Sequence, residues 1–332
     1  MPYDVCREFR MTSTRVAAID CGTNSIRLLV ADLNPDGTLV DVHREMRVVR
    51  LGEGVDATGE LSAGALDRTW RALADYTAIL RAAGAVRVRM AATSASRDAR
   101  NRQQFVDMVT TTLGQAPEVI SGEEEAELSF RGAVGDLPAA SGPFLVADIG
   151  GGSTELVVGS VGDGAPDGGQ VLITGRISLD IGCVRITERI LRSDPPTPAE
   201  VSAARAWAGE LLGSGLAGLP LAGVRRLVPV SGTATTVAAA ALGLAVYDPE
   251  RIHLSRIGAD AIHRTADGLL HQTRAHRAAL GYMHPGRVDV IGGGALVLST
   301  LVGLVSRATG LAEVTVSEHD ILDGLAMSLR AG

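Results

Sequence analysis

Residues 16–19 are apolar, the polar turn Asp20-Cys21-Gly22-Thr23-Asn24-Ser25 interrupts them, and residues 26–31 resume an almost continuous apolar run. Two apolar runs around a short Gly-containing turn predict a β-hairpin, and the alternating stretch 39–49 predicts a third strand. Leu66, Trp70, Leu73, Tyr76, Ile79 and Leu80 recur at i, i+3, i+4 spacing and predict a helix over 62–83. Ser62 is its expected N-cap and Gly84 its stop. A buried strand over 86–92, a helix over 99–113, a strand over 118–120 and a helix opening at Glu123, after Ser121-Gly122, complete the first third.

The opening pattern then returns. Residues 144–147 are apolar, Asp148-Ile149-Gly150-Gly151-Gly152-Ser153 forms a turn, and residues 156–159 are apolar again. At an offset of 128, Asp148 falls on Asp20, Gly150 on Gly22, Ser153 on Ser25 and Leu156 on Leu28. A unit repeated once at this distance predicts two halves of one architecture. Further on, a surface hairpin tip is expected near Pro166. The Pro-rich segment 193–200 is expected to lead into a helix from Val201. Two more strand–Gly-turn units are expected at 227–236 and 288–297, and a final amphipathic helix over 318–330.

Composition narrows the chemistry. All 31 basic residues are Arg. This excludes a Walker-type lysine, a pyridoxal phosphate lysine and a kinase β3 lysine. A net charge of -7 with 3% aromatic residues argues against a sequence-independent nucleic-acid binder. Cys6, Cys21 and Cys183 share no metal or disulfide spacing. The first fifteen residues lack an apolar signal core, and the apolar stretches 227–246 and 290–305 are interrupted by Pro229 and by Gly292 to Gly294. No membrane span and a cytoplasmic location are therefore expected.

Gly-rich turns let backbone amides approach an anion closely, and a Ser or Thr hydroxyl adds a donor; phosphate is the obvious ligand. Asp20 and Asp148 beside such turns would repel phosphate unless a divalent cation, Mg²⁺ above all, sits between them. Glu155 is placed to reach the same ion. Glu123, Glu124, Glu125 and Glu127 supply candidate general bases, and composition alone does not choose among them. Arg27 and Arg97 are candidate phosphate clamps.

The segments AAIDCGTNSIRLLV, SGEEEAELSF, VADIGGGSTELVVG and VSGTATT resemble, in order and spacing, the exopolyphosphatase / guanosine pentaphosphate phosphohydrolase (Ppx/GppA) family, in a short two-domain form. The resemblance implies an α/β fold of two RNase H-like domains, as in the actin, Hsp70 and sugar-kinase superfold, with the ligand in the interdomain cleft. It places domain I at 14–138, with the last helix (319–332) packed back on it, and domain II at 139–318. It implies Mg²⁺-dependent (or Mn²⁺-dependent) release of terminal phosphate from polyphosphate; the alternatives are 5′-phosphate release from pppGpp or a regulator that binds (p)ppGpp or polyphosphate without turnover. By the same resemblance Glu125 is the base, and Asp148 and Glu155, with Asp20, hold the metal. Gly22, Thr23, Asn24 and Ser25 form one phosphate loop, followed by Arg27; Gly150, Gly151, Gly152 and Ser153 form the other. Arg97 and Asn101 face the cleft, and Ser231, Gly232 and Thr233 line it. Members of the family commonly dimerise. Long members continue into an HD-like helical domain that this chain, ending at Gly332, is expected to lack, and many relatives have an Arg-Glu-Gly segment where this chain has Ile321-Leu322-Asp323-Gly324.

Overall fold

The computed structural model describes residues 13–162 and 171–330. The first half runs β1 (Thr14–Cys21), β2 (Ser25–Leu33), β3 (Leu39–Val48), α1 (Val55–Thr58), α2 (Ala63–Ala82), β4 (Arg87–Ala92), α3 (Ser94–Asp98), α4 (Arg102–Leu113), β5 (Glu118–Val119) and α5 (Gly122–Val134). The second runs β6 (Phe144–Ile149), β7 (Thr154–Val161), β8 (Val171–Leu179), α6 (Cys183–Arg189), α7 (Pro198–Ala217), β9 (Arg226–Val230), α8 (Ser231–Ala241), α9 (Pro249–Ile252), β10 (Ser255–Gly258), α10 (Ala259–His271), α11 (Arg274–Ala278), α12 (Ile291–Thr309), β11 (Glu313–Val316) and α13 (Ile321–Met327).

One sheet has the order β3-β2-β1-β4-β5 and the other β10-β11-β9-β6-β7-β8. In the first, β1–β2–β3 is an antiparallel meander and β4 and β5 are parallel to β1. Read from β8, the second repeats this: β8-β7-β6 is antiparallel, β9 and β11 follow in parallel, and β10 adds an antiparallel edge. The RNase H-like arrangement is therefore present twice, the architecture of the actin, Hsp70 and sugar-kinase superfold.

Both faces of each sheet are covered, which is why β1 and β6 read as continuous apolar runs rather than alternating ones. Ala17, Ile19 and Cys21 join the core under α2 and α4, while Val16 and Ala18 meet α13. In β6, Leu145, Ala147 and Ile149 join the large helical core, while Phe144 and Val146 pack on α5. Side chains alternate along a strand, so Asp20 and Asp148 take the parity of the faces covered by α13 and α5. The two helices touch backbone to backbone. A Cβ at Gly132 would fall on the Asp320 carbonyl, and one at Gly324 on the Leu128 carbonyl.

Several elements differ from the sequence expectation. The helix expected over 99–113 begins only at Arg102, because Ala99 is extended, and a short helix, α3, precedes it. The helix expected from Val201 starts at Pro198, where Thr197 and Glu200 form a capping box. Trp70 is 47% exposed rather than core-facing. Residues 288–290 form no strand, and Gly292, Gly293 and Gly294 lie inside α12 rather than in a turn. They serve helix packing: a Cβ at Gly293 would stand 2.6 Å from Thr187 Oγ1, and one at Gly294 2.7 Å from Thr233 Oγ1. Nor do they interrupt the apolar helix, which is long and apolar enough to cross a membrane, although most of it is buried in the protein. At 231 there is no turn either, since α8 begins directly at Ser231 with φ +72°. The hairpin tip expected near Pro166 lies outside the described residues.

Candidate active site

The two repeated turns meet between the sheets. Each is closed by the same bond: the Gly22 amide donates to Ser25 O at 2.9 Å, and the Gly150 amide to Ser153 O at 3.0 Å. The amides of Thr23, Asn24, Gly151 and Gly152 have no acceptor among the described residues. Gly151 and Gly152 lack side chains because the first turn occupies that space. A Cβ at Gly151 would lie 2.9 Å from Thr23 Cβ, and one at Gly152 2.8 Å from Thr23 Oγ1. The turns line one pocket together with Arg27, Glu125, Thr93, Ser94, Arg287 and the first turn of α8, namely Ser231, Gly232 and Thr233. Amides of two turns and a helix N-terminus supply partial positive charge suited to phosphate.

The α5 N-terminus selects among the glutamates. Ser121 caps it by accepting from the Glu124 amide. Glu123, Glu124 and Glu127 pair with Arg176, Arg89 and Arg131 at the surface. Glu125 alone turns inward, is 8% exposed, and accepts from Arg97 Nη1 at 2.6 Å. Four residues on, along the same helix face, Ser129 donates to Asp148 Oδ2 at 2.6 Å. Glu155 stands directly across the β6–β7 pair from Asp148, fully buried, and accepts from Ser178 Oγ at 2.7 Å. It lies behind the pocket wall rather than in it.

Burial pushes the Glu125, Asp148, Glu155 and Asp20 carboxyls above their usual range. Repulsion adds to this: Asp320 and Asp20 act on Asp148, while Glu125 and Asp148 act on Glu155. Arg97 pulls Glu125 back toward its charged form, as Arg27 does for Asp20. Five carboxyls gather here, and the two guanidiniums bonded to them, Arg27 and Arg97, leave negative charge in excess. Carboxylate and hydroxyl oxygens around Asp148 suit a hard divalent cation.

The arginines depart from expectation. Arg27 was the expected phosphate clamp, yet all three of its nitrogens are engaged: Nε and Nη2 with Asp20, and Nη1 with Asp320. Arg97 is off the pocket wall and holds Ile120 O and Glu125 instead. Asn101 exchanges two bonds with the Leu61 backbone and so fixes the loop before α2 rather than facing the cleft. The basic group on the wall that sequence reasoning missed is Arg287. Its Nη1 donates to Thr236 Oγ1 at 2.9 Å, and it pairs with no carboxylate among the described residues. Gly232 is the position that leaves room for its guanidinium. No motif surrounds Arg287, and only chain tracing from α11 to α12 brings it here. Ser129 was findable, since it follows Glu125 at helical spacing; Asp320 carried no signal.

Comparison with known proteins agrees with this geometry. The Ppx/GppA phosphatase family model matches residues 29–329. Exopolyphosphatase 2 of Mycobacterium tuberculosis is 52% identical over 96% of this chain and 99% of that protein. The crystal structure of an exopolyphosphatase-like protein, 40% identical, superposes with a TM-score of 0.90 and covers 96% of this chain and 98% of its own. An Aquifex aeolicus Ppx/GppA structure, 29% identical, has a TM-score of 0.76 and covers 95% and 97%. This chain, with its paired amide turns and buried glutamate, belongs to the Ppx/GppA phosphatase family.

Proposed function

We propose that the protein is a Mg²⁺-dependent exopolyphosphatase that releases terminal orthophosphate from linear polyphosphate. The observation that carries this reading is the inward-turned Glu125 carboxylate, on the wall of the pocket where the two amide turns abut. The family and the 52% identical exopolyphosphatase support the substrate class.

The terminal phosphoryl group lies between the turns, its oxygens bonded by the free amides of Thr23, Asn24, Gly151 and Gly152 and by Arg287. Asp148, with Glu155 behind it and Asp20 opposite, would hold the divalent cation. When bound, that ion offsets the charge of the phosphate oxygens and of the surrounding carboxyls. Glu125 takes a proton from water as the water oxygen attacks phosphorus. The bridging P–O bond breaks, and the shortened chain leaves as an anion. Arg97 fixes the Glu125 carboxylate and opposes, in part, the burial that pushes its pKa up to about 7, close to where a general base works best.

A guanosine substrate is less well supported: no aromatic residue lines the pocket to stack on a base. A substrate panel of tripolyphosphate, long polyphosphate, pppGpp and ATP, run with Mg²⁺, tests the assignment. Phosphate release from polyphosphate should exceed the others in kcat/KM, and faster release from pppGpp would replace this reading by the second.

A further inference from the structure

The carbonyls of the second phosphate turn face the start of α6. Gly150 O accepts from the Cys183 amide at 2.9 Å, and Gly151 O from the Val184 and Arg185 amides at 2.9 and 3.1 Å. Gly152 O accepts from the Arg185 side chain, whose Nε stands 2.7 Å away. In a planar trans peptide the N–H points opposite to the C=O. Carbonyls drawn back to α6 therefore send the next amides, those of Gly151, Gly152 and Ser153, toward the cleft that these residues line. The approach is close enough to require Gly182, where a Cβ would stand 2.5 Å from the Gly151 carbonyl. We infer that Arg185 is a positioning residue for phosphate binding: from behind the turn it aims the Ser153 amide at the bound phosphoryl group and fixes the turn against α1 and α3. The inference rests on the reading of the turns as a phosphate site.

Arg185 supplies the one side chain among these bonds, and it also reaches the other half of the molecule. Its Nη2 lies 2.6 Å from Asp98 Oδ2 and 3.4 Å from Ser94 Oγ, and its Nη1 donates to Asp56 Oδ1 at 3.1 Å. Asp180, at the surface, is 3.8 Å from Nη2. The guanidinium is off the cleft wall and lines instead a small cavity behind the turn, with Thr23, Ser94 and Gly152. A planar fork serves these directions at once, which the single nitrogen of a lysine does not. Lysine at 185 would still meet Asp56 or Asp98, but would not hold Gly152 O as well. Arg189, one helical turn on, pairs with the same Asp56 and lies over the Trp207 ring, yet bonds nothing in the turn. It separates pairing between the halves from positioning of the turn.

Equilibrium binding tests this without turnover. Tripolyphosphate is titrated, with Mg²⁺ present, into the full chain carrying Glu125→Gln, alone and with Arg185→Met, Arg185→Lys or Arg189→Met. Both Arg185 variants should weaken binding roughly tenfold. With Glu125 restored they should lower kcat/KM for polyphosphate by about 10²-fold. Arg189→Met should leave affinity unchanged. Arg185→Lys keeps the charge beside Asp56 and Asp98, and is the variant to read where Arg185→Met does not fold. Affinity restored by lysine, or lost equally in Arg189→Met, reduces Arg185 to an ion pair between the halves and overturns the inference, as does a chain that binds no tripolyphosphate. A wild-type chain whose binding depends on Arg185 but which releases no phosphate overturns the hydrolase reading and leaves the role of Arg185 standing.

Discussion

Arg97 Nη1 lies 2.6 Å from Glu125 Oε2, joining the segment after β4 to the start of α5 inside the protein. The pair sets the charge state of Glu125, since burial drives the carboxyl toward its neutral form and the guanidinium opposes it. In the proposed mechanism Glu125→Gln keeps the shape and removes the base, so kcat should fall by about 10²–10⁴ with circular dichroism unchanged. A variant retaining full activity would remove Glu125 from the mechanism.

The pH dependence follows from the same pair. As the proposed base Glu125 would act only when deprotonated, and its folded pKa is raised, so kcat should rise with pH along a limb above the ordinary carboxylate range. Arg97→Met takes away the ion that lowers it, and the limb should move to higher pH. If instead the limb stays fixed and only KM changes, Arg97 binds substrate and does not tune the base.

Arg287 and Arg27 should separate binding from folding. Arg287 has only a hydroxyl partner, so Arg287→Met should raise KM for polyphosphate by roughly tenfold and leave Tm nearly unchanged. Arg27→Met leaves Asp20 and Asp320, both almost fully buried, without their partner. Its cost is about 3–5 kcal/mol of stability, read by urea denaturation. Equal Tm values for the two variants would contradict this division.

Gly324→Ala should destabilise the protein by about 1–3 kcal/mol or more, because its Cβ would fall on the Leu128 carbonyl of α5. Gly209→Ala, in α7 with nothing within 4 Å of a Cβ, should instead stabilise by ~0.5–1 kcal/mol. Thermal melts of the two decide it.

Glu155→Gln should raise Tm at neutral pH while reducing Mg²⁺-dependent activity. The folded pKa of Glu155 lies above its unfolded value, so the group costs stability once pH exceeds the unfolded carboxyl pKa. A neutral amide removes that cost and still accepts from Ser178. The gain in Tm should disappear below about pH 4, where the unfolded carboxyl is also protonated. A variant less stable than wild type at neutral pH would show that the ionised form is the favoured one.

Both hairpins, their 128-residue offset and the Ser62 cap were legible in the chain, because strand parity, turns and caps depend on neighbouring residues. The run Gly292 to Gly294 misled for the same reason. Locally it reads as a turn, whereas its small size answers to Thr187 and Thr233, residues far away in the chain. The charges were the least legible part. An arginine in a sequence is a free cation, and its partner depends on what the fold brings within 3 Å; Arg27 met two aspartates, Arg97 met Glu125, and Arg287 met only a hydroxyl.

By itself the chain specified two copies of one strand–turn–strand unit, each ending in an aspartate beside amide-rich glycines, because periodicity and turn chemistry act over a few residues. Tertiary packing decided which glutamate turns into the pocket, which arginine on its wall meets no carboxylate, and that the two turns touch. Those outcomes depend on the exchange of α5 and α13 between the sheets, where Gly132 and Gly324 let backbone meet backbone, a contact between segments nearly two hundred residues apart that no local pattern encodes.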